Sequence, residues 1–308
     1  METPSDGIVL VDKEAGITSH DVVERVRRMI RKGRGFKVGH AGTLDPFATG
    51  LLIILLGRAT RLSTHVMSGH KVYEAVMCLG VETDTLDTAG KIVSKRNVPD
   101  LSTATIRDKA AGFLGEIEQT PPVYSAVRVD GRRAYQWARE GIAVHIKSRK
   151  VNIFALDVLW VQLPRIALRV RCSAGTYVRR LAADLGNALG PGAHLTSLRR
   201  VQSGSFHVRD ALPSQVLLDG VREGLWQRVL SLKDAIPDMR EIEVNEDLAR
   251  KVRQGYQPAW HELLDEGSGG REGFIKLVNR GNLIAVMKVS HGGGNRDDRV
   301  AIDRVFAG

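Results

Sequence analysis

Gly39-His40-Ala41-Gly42-Thr43-Leu44-Asp45-Pro46-Phe47-Ala48-Thr49-Gly50-Leu51-Leu52 is the stretch on which the reading of this chain turns. Its three glycines, one proline, one acid and one imidazole run straight into the apolar residues 53–56. Glycine permits tight turns and close backbone approach. Pro46 fixes its own φ and drives Asp45 towards an extended conformation. Asp45 is therefore expected on a stiff loop, with its carboxylate aimed by the backbone. A bare Asp-Pro is more simply an Asx-type turn. The surrounding chain tips the reading towards chemistry.

Upstream, residues 7–13 read as a buried strand, followed by a turn at 14–16. Thr18 or Ser19 can cap a helix over about 20–32, with Asp21 near its positive end. Val22, Val23, Val26, Met29 and Ile30 keep helical spacing. Arg25, Arg27, Arg28, Arg31, Lys32, Arg34 and Lys37 crowd this helix and the loop after it, one sign of charge leading into the Asp45 loop.

Downstream, residues 71–79 form a strand pattern and 82–90 an acidic, turn-rich loop. The loop lacks the central glycine and terminal glutamate of a calcium-binding EF-hand. Ser102 or Thr103 starts a helix predicted through Leu114, where Gly115 stops it. Arg128, Arg132 and Arg133 interleave with Tyr124, Tyr135 and Trp137, a pattern suited to phosphate contact and base stacking. Strands are predicted over 151–163 and 166–173, then an apolar helix opened by Gly175-Thr176-Tyr177-Val178-Arg179-Arg180. Residues 210–239 read as a helical connection, and the remainder alternates as in a small β-rich domain with a turn at Arg280-Gly281.

The loop resembles the G-H-x-G-x-L-D-P-x-A-T-G motif of pseudouridine synthases of the TruB family. Further stretches are similar to the same family. They are Lys13-Glu14-Ala15-Gly16-Ile17-Thr18-Ser19, the K-x-Y-x-A pattern at 71–75, Pro121-Pro122-Val123-Tyr124-Ser125-Ala126, the Gly175 to Arg179 motif, and the A-H-x-x-x-L-R-R pattern at 193–200. Glu14 and Ile53 stand where the family commonly has proline. The resemblance covers about residues 7–210 by motif and the rest by position only.

It implies an α+β pseudouridine synthase catalytic fold on a mixed, largely antiparallel sheet. The expected units are a catalytic domain over 1–235, with a basic tRNA-gripping insertion at about 124–150, and a PUA-like domain over 236–308. It also implies modification of uridine 55 in the T loop of tRNA. Asp45 would be the nucleophile, attacking the base at C6 or the sugar at C1′; the residues do not choose between them. Arg179 would keep that carboxylate charged and oriented. Tyr73 would stack on the target base, Tyr177 help shape the pocket, Leu198 line its apolar wall, and His40 fill the space a flipped base leaves. Lys13 would support the site. No cofactor and no metal are called for, and the partner is the T arm of tRNA rather than DNA or a membrane, met by a monomer.

Composition agrees with a polyanionic partner. The chain has 308 residues, a net charge of +10 and a pI near 9.8. From Arg240 onward it carries 11 basic and 11 acidic residues, so the whole excess lies in 1–239. Cys78 and Cys172 give neither a disulfide framework nor metal-ligand spacing, and both are expected as buried thiols. No signal pattern and no run of 18 apolar residues is found, so a cytoplasmic location is expected. A non-catalytic tRNA-binding protein would share the basic face without needing Asp45, Tyr73 and Arg179 together. A guide-RNA-dependent synthase subunit would share the catalytic motifs, and the basic insertion argues against it. A metal-dependent hydrolase fits poorly, since the nine histidines show no ligand spacing.

Overall fold

The computed structural model describes residues 6–30, 35–217, 225–263, 272–290 and 299–306. Strand β1 (Gly7–Lys13) turns into helix α1 (Ser19–Ile30), and β2 (Val38–Ala41) and β3 (Thr49–Leu56) flank the Asp45 loop. Helix α2 (Ser63–Ser68) precedes β4 (Lys71–Leu79), and the hairpin of β5 (Val81–Thr83) and β6 (Ile92–Lys95) carries the acidic loop. Helix α3 (Thr103–Ala111) leads to the edge strand β7 (Gly115–Gln119). The basic insertion holds β8 (Arg128–Val129), β9 (Arg132–Arg133) and α4 (Ala134–Arg139). A long hairpin, β10 (Arg149–Gln162) with β11 (Arg165–Cys172), then α5 (Val178–Leu189) and β12 (Ala193–Ser203), follow. After β13 (Phe206–His207) and β14 (Leu212–Pro213) come β15 (Arg240–Glu243), a helix at Glu246–Arg253, β16 (Gly273–Asn279), β17 (Asn282–Ser290) and β18 (Arg299–Val305).

Ten strands form one sheet in the order β14-β1-β3-β12-β4-β11-β10-β7, with β13 on β12 and β2 on β3. Only β1 with β14 and β3 with β12 are parallel; the sheet is mixed and largely antiparallel. The apolar run 51–56 is central because both of its faces are covered, and Leu51 to Leu56 are each at most 1% exposed. Every such side chain contributes about 1.5–3 kcal/mol of burial. On one face α1 and α5 pack their apolar stripes; on the other lie Ile236, Leu283, Val286 and Phe306. The register aligns Lys13, Gly50, Arg200, Tyr73 and Val170 in one row across five strands. That row ends where the Asp45 loop leaves the sheet.

Strands β15-β16-β17-β18 make a separate small sheet. It is joined to the large one through Arg61, which donates to the Val305 carbonyl at 2.7 Å, and His65, 2.9 Å from Asp303. Among the described residues no helix is long and apolar enough to cross a membrane.

Several expectations are corrected. Helix α3 ends at Ala111, and the chain reaches Gly115 through turns in which Phe113 and Leu114 bond to Ala110 and Ala111. Of the helical connection expected over 210–239, residues 218–224 lie outside the described residues, 225–226 are helical, and the rest holds 3-10 turns at Val208–Asp210 and Ser214–Leu217 with turns and sheet-edge contacts. Leu212 and Pro213 pair with Val11 and Asp12, and Leu230 bridges Ile8. Both cysteines are free; Cys172 is buried, but Cys78 is only half-buried. Arg31, Lys32, Arg34 and the glycines 292–294 lie outside the described residues.

Candidate active site

The backbone of the Asp45 loop is clamped by buried polar side chains. Lys13, 0% exposed, donates its Nζ to the carbonyls of Glu14 and Ile17 at 2.8 Å and of Pro46 at 3.3 Å. The Gly16 amide also donates to Pro46 at 2.8 Å. Ser19 donates its hydroxyl to the Leu44 carbonyl at 3.1 Å and accepts from the Leu44 amide at 2.9 Å. Arg200 donates to Leu51 at 2.7 Å and to Gly42 at 3.0 Å. Burial lowers the Lys13 pKa to about 8, with Asp45 pulling the other way.

This layout explains two features of the sequence. Gly50 has φ +102° and a Cβ there would lie 2.3 Å from the Arg200 carbonyl, so β12 packs on bare backbone. Glu14 binds Arg25 at 2.7 Å and Gln215 at 2.8 Å, side-chain ties at a turn where the family has proline.

Arg179 is the second residue of α5, placed there by the turn at Gly175. Its Nη2 donates to Asp45 Oδ1 at 3.0 Å, while Nε lies 2.8 Å from Oδ2. Nη1 donates to Asp87 Oδ2 at 3.1 Å and to the Thr85 carbonyl at 2.9 Å, and Nη2 also reaches the Tyr124 carbonyl at 3.1 Å. A guanidinium is suited to this, because its planar fork fixes a carboxylate in two directions at once. Burial pushes the Asp45 carboxyl above 3.8, with Arg179 opposing and the charge of Asp87 adding to the rise. Arg179 contacts both carboxylate oxygens of Asp45, and its charge acts against desolvation rather than prevailing over it.

Asp45, Tyr73, Tyr177, Arg179 and Leu198 all line one cavity of about 440 Å³, within the usual size range of small-molecule sites. Burial raises the Tyr73 pKa, so its phenol stays protonated. Tyr177 is held by Gln119, 1% exposed, whose amide accepts from the Tyr177 amide at 2.7 Å and donates to its carbonyl at 3.1 Å. His40 is not on the cavity lining. It lies on β2 opposite Ile54, its Nδ1 buried and unpartnered, and burial lowers its pKa.

Sequence reasoning missed Asp87, Gln119, Arg149, Lys71 and Arg200. Lys71 donates to the carbonyls of Met67 at 2.9 Å and Gly69 at 2.6 Å, and burial lowers its pKa to about 8. Asp87 was in view as the aspartate of an acidic loop that resembles the family's G-x-x-T-x-T-x-D-x-x-G segment, with no partner assigned; its other oxygen accepts from Thr85 at 2.6 Å and from the Ala89 amide at 3.0 Å. Among the described residues no group of three or more His, Cys, Asp or Glu side chains is placed to hold a metal ion. The arrangement presents a part-buried carboxylate, contacted twice by one guanidinium, to a cavity lined by aromatic, apolar and cationic side chains, a setting in which a carboxylate can act as a nucleophile.

Residues 27–178 match the family model for the N-terminal domain of TruB family pseudouridylate synthases. Residues 179–237 match that for the C-terminal domain of tRNA pseudouridylate synthase B. The tRNA pseudouridine synthase B of Syntrophus aciditrophicus (strain SB) is 40% identical over 288 residues, covering 93% of this chain and 89% of that protein. That of Opitutus terrae (strain DSM 11246 / JCM 15787 / PB90-1) is 47% identical over 234 residues, covering 76% of this chain and 96% of its own. Among solved structures, a chain of a Cbf5-Nop10-Gar1 complex superposes with a TM-score of 0.74 at 25% identity, over 98% of this chain and 84% of that one.

Proposed function

The chain belongs to the TruB family of pseudouridylate synthases, and from that premise we propose that it isomerises uridine 55 in the T loop of tRNA. The observation that carries this reading is the Asp45–Arg179 pair on the cavity that Tyr73, Tyr177 and Leu198 also line. Asp45 is the nucleophile on a flipped-out nucleotide. It attacks C6 of the base or C1′ of the sugar, the N1–C1′ bond breaks, and the base turns. C5 then bonds to C1′, and the bond to Asp45 breaks, displaced at C1′ by C5 or eliminated from C6, which regenerates the carboxylate; C5 gives up its proton and N1 takes one, with no net oxidation.

Tyr73 stacks on the base, Tyr177 and Leu198 shape the pocket, and His40 enters the stack as the base leaves it. The basic insertion at 124–150 of the catalytic unit, residues 1–235, grips the RNA; residues 236–308 form a PUA-like unit. We read the enzyme as a cytoplasmic monomer that needs no guide RNA, supported by its own arginine-rich insertion. Incubating T-arm RNA with the protein and mapping pseudouridine by chemical labelling tests this. A label at uridine 55 is expected, and an unlabelled or differently labelled RNA overturns it.

A further inference from the structure

We propose that Arg149 grips a phosphate flanking the uridine held in the cavity, an inference that rests on the pseudouridine synthase reading above. Four cationic side chains line that cavity: Lys71, Arg149, Arg179 and Arg200. Three of them are spent on the protein. Lys71, Arg179 and Arg200 are 6%, 4% and 2% exposed. Their hydrogen bonds go to the carbonyls of Met67 and Gly69, to Asp45 and Asp87, and to the carbonyls of Leu51 and Gly42.

Arg149 differs on each count. It is half-buried, stands at the start of β10, and among the described residues pairs with no carboxylate. Its guanidinium lies over the Tyr177 ring, 4.8 Å from the centroid, and donates to the Gly175 carbonyl. Its Nε is buried and without a hydrogen-bond partner, as that of Arg179 also is, and among the described residues no protein group takes its Nη1. Gly175 makes room for it, since a Cβ there would sit 3.5 Å from the Arg149 Cζ. The side chain is thus posed by a ring and a carbonyl with its charge uncompensated.

A polynucleotide cannot deliver one nucleoside to Asp45 without bringing the two phosphates that flank it. Those anions approach a cavity whose own carboxylate is already matched by Arg179. A planar guanidinium at the lining recognises phosphate in two-point fashion. Arg149 is the cavity cation that is only half-buried, with Nη1 not given to the protein among the described residues. The competing role is a latch that merely holds Tyr177, and the two roles respond differently to the charge of the RNA.

The test crosses the wild type and Arg149→Gln with T-arm RNAs carrying a neutral methylphosphonate on the 5′ or the 3′ side of the target uridine. Arg149→Gln should weaken binding of the ordinary RNA about tenfold and reduce its salt slope by about 0.7–0.9. One of the two methylphosphonates should do the same to the wild type, and combining it with Arg149→Gln should cost no more than either alone. An unchanged salt slope, or losses that add at both positions, would overturn the proposal in favour of the latch. Should the variant fold poorly, the wild type decides alone: if neither methylphosphonate weakens its binding, the proposal is wrong. A wild type that leaves no pseudouridine in the ordinary T-arm RNA is a different failure, that of the underlying reading.

Discussion

The Asp45 loop and the insertion at 124–150 are both rich in cationic contacts, and they use them in opposite ways. Around Asp45, Lys13, Arg179 and Arg200 are buried and give their protons to carbonyls and carboxylates. In the insertion, β8 and β9 are two residues each, Arg132 and Arg139 lie over aromatic rings, Arg132 also pairs with Glu140, and Arg128 and Arg133 donate to carbonyls at exposed positions. Arg132 sits 4.1 Å from the Trp137 ring centre and Arg139 5.3 Å from that of Tyr135. Exposed contacts of this kind hold about 0.5–1 kcal/mol each, little enough for an arriving phosphate to outcompete them. A buried charge deprived of its partner costs about 3–5 kcal/mol. Fixed charge is what catalysis needs, because donors organised in advance do not have to reorient during reaction. Recognition of a long polyanion is served by charges free to move.

The comparison breaks most visibly at Asp45. Asp45→Asn keeps the shape of the side chain and loses the nucleophile, so isomerisation should vanish while tRNA affinity stays within a few fold. Single-turnover assays with a variant checked for deamidation measure this, and substantial turnover would sink the assignment.

The next effect concerns the second anchor of Arg179. Asp87→Asn removes the buried one of the two carboxylates on that guanidinium, and should lower unfolding stability by about 3 kcal/mol. It should also slow the chemical step more than it weakens RNA binding. Denaturant titration and single-turnover rates report the two, and a variant with wild-type stability and rate would show that Asp87 is no anchor.

Charge removal sharpens the other half of the comparison. Neutralising Arg128 and Arg133 to Gln should flatten the salt slope of T-arm binding by about 1.4–1.8, two phosphate contacts' worth. The same change at Arg250 and Lys251, in the neutral C-terminal unit, should leave the slope alone. Equal slopes for the two pairs would place the grip elsewhere. His40 is expected to give the smallest effect. His40→Ala should slow modification of a folded T arm several-fold, and less on RNA whose T loop is already open, because extracting a stacked base costs a few kcal/mol. An equal loss on both substrates would move His40 into the chemical step.

Much of the site was legible because its clamps are local. Lys13, Gly16 and Ser19 sit within seven residues, and each meets the loop backbone as their spacing and turn chemistry allow. The strand after Gly50 was readable from its unbroken apolar run. The partners of Asp87 and Gln119 were not readable. The two side chains meet them across 92 and 58 residues, and each is one polar side chain with no periodic pattern around it. The two described ends of 210–239, around Leu212 and Leu230, misled for another reason. Their apolar positions suit a helix, but pairing of Leu212 with Val11 and Leu230 with Ile8 draws the chain along the sheet edge. Tertiary pairing there overrides local preference.

Arg179 joins Asp45, Asp87 and Tyr124, which precede it by 134, 92 and 55 residues. During synthesis the Asp45 carboxylate is therefore made long before the guanidinium that pairs with it. Until residue 179 has emerged and the strands between have paired, Asp45 is an ordinary solvated carboxylate. A half-made chain can meet RNA with its basic N-terminal half and yet do no chemistry on it. The enzyme's reactivity is timed by its own length.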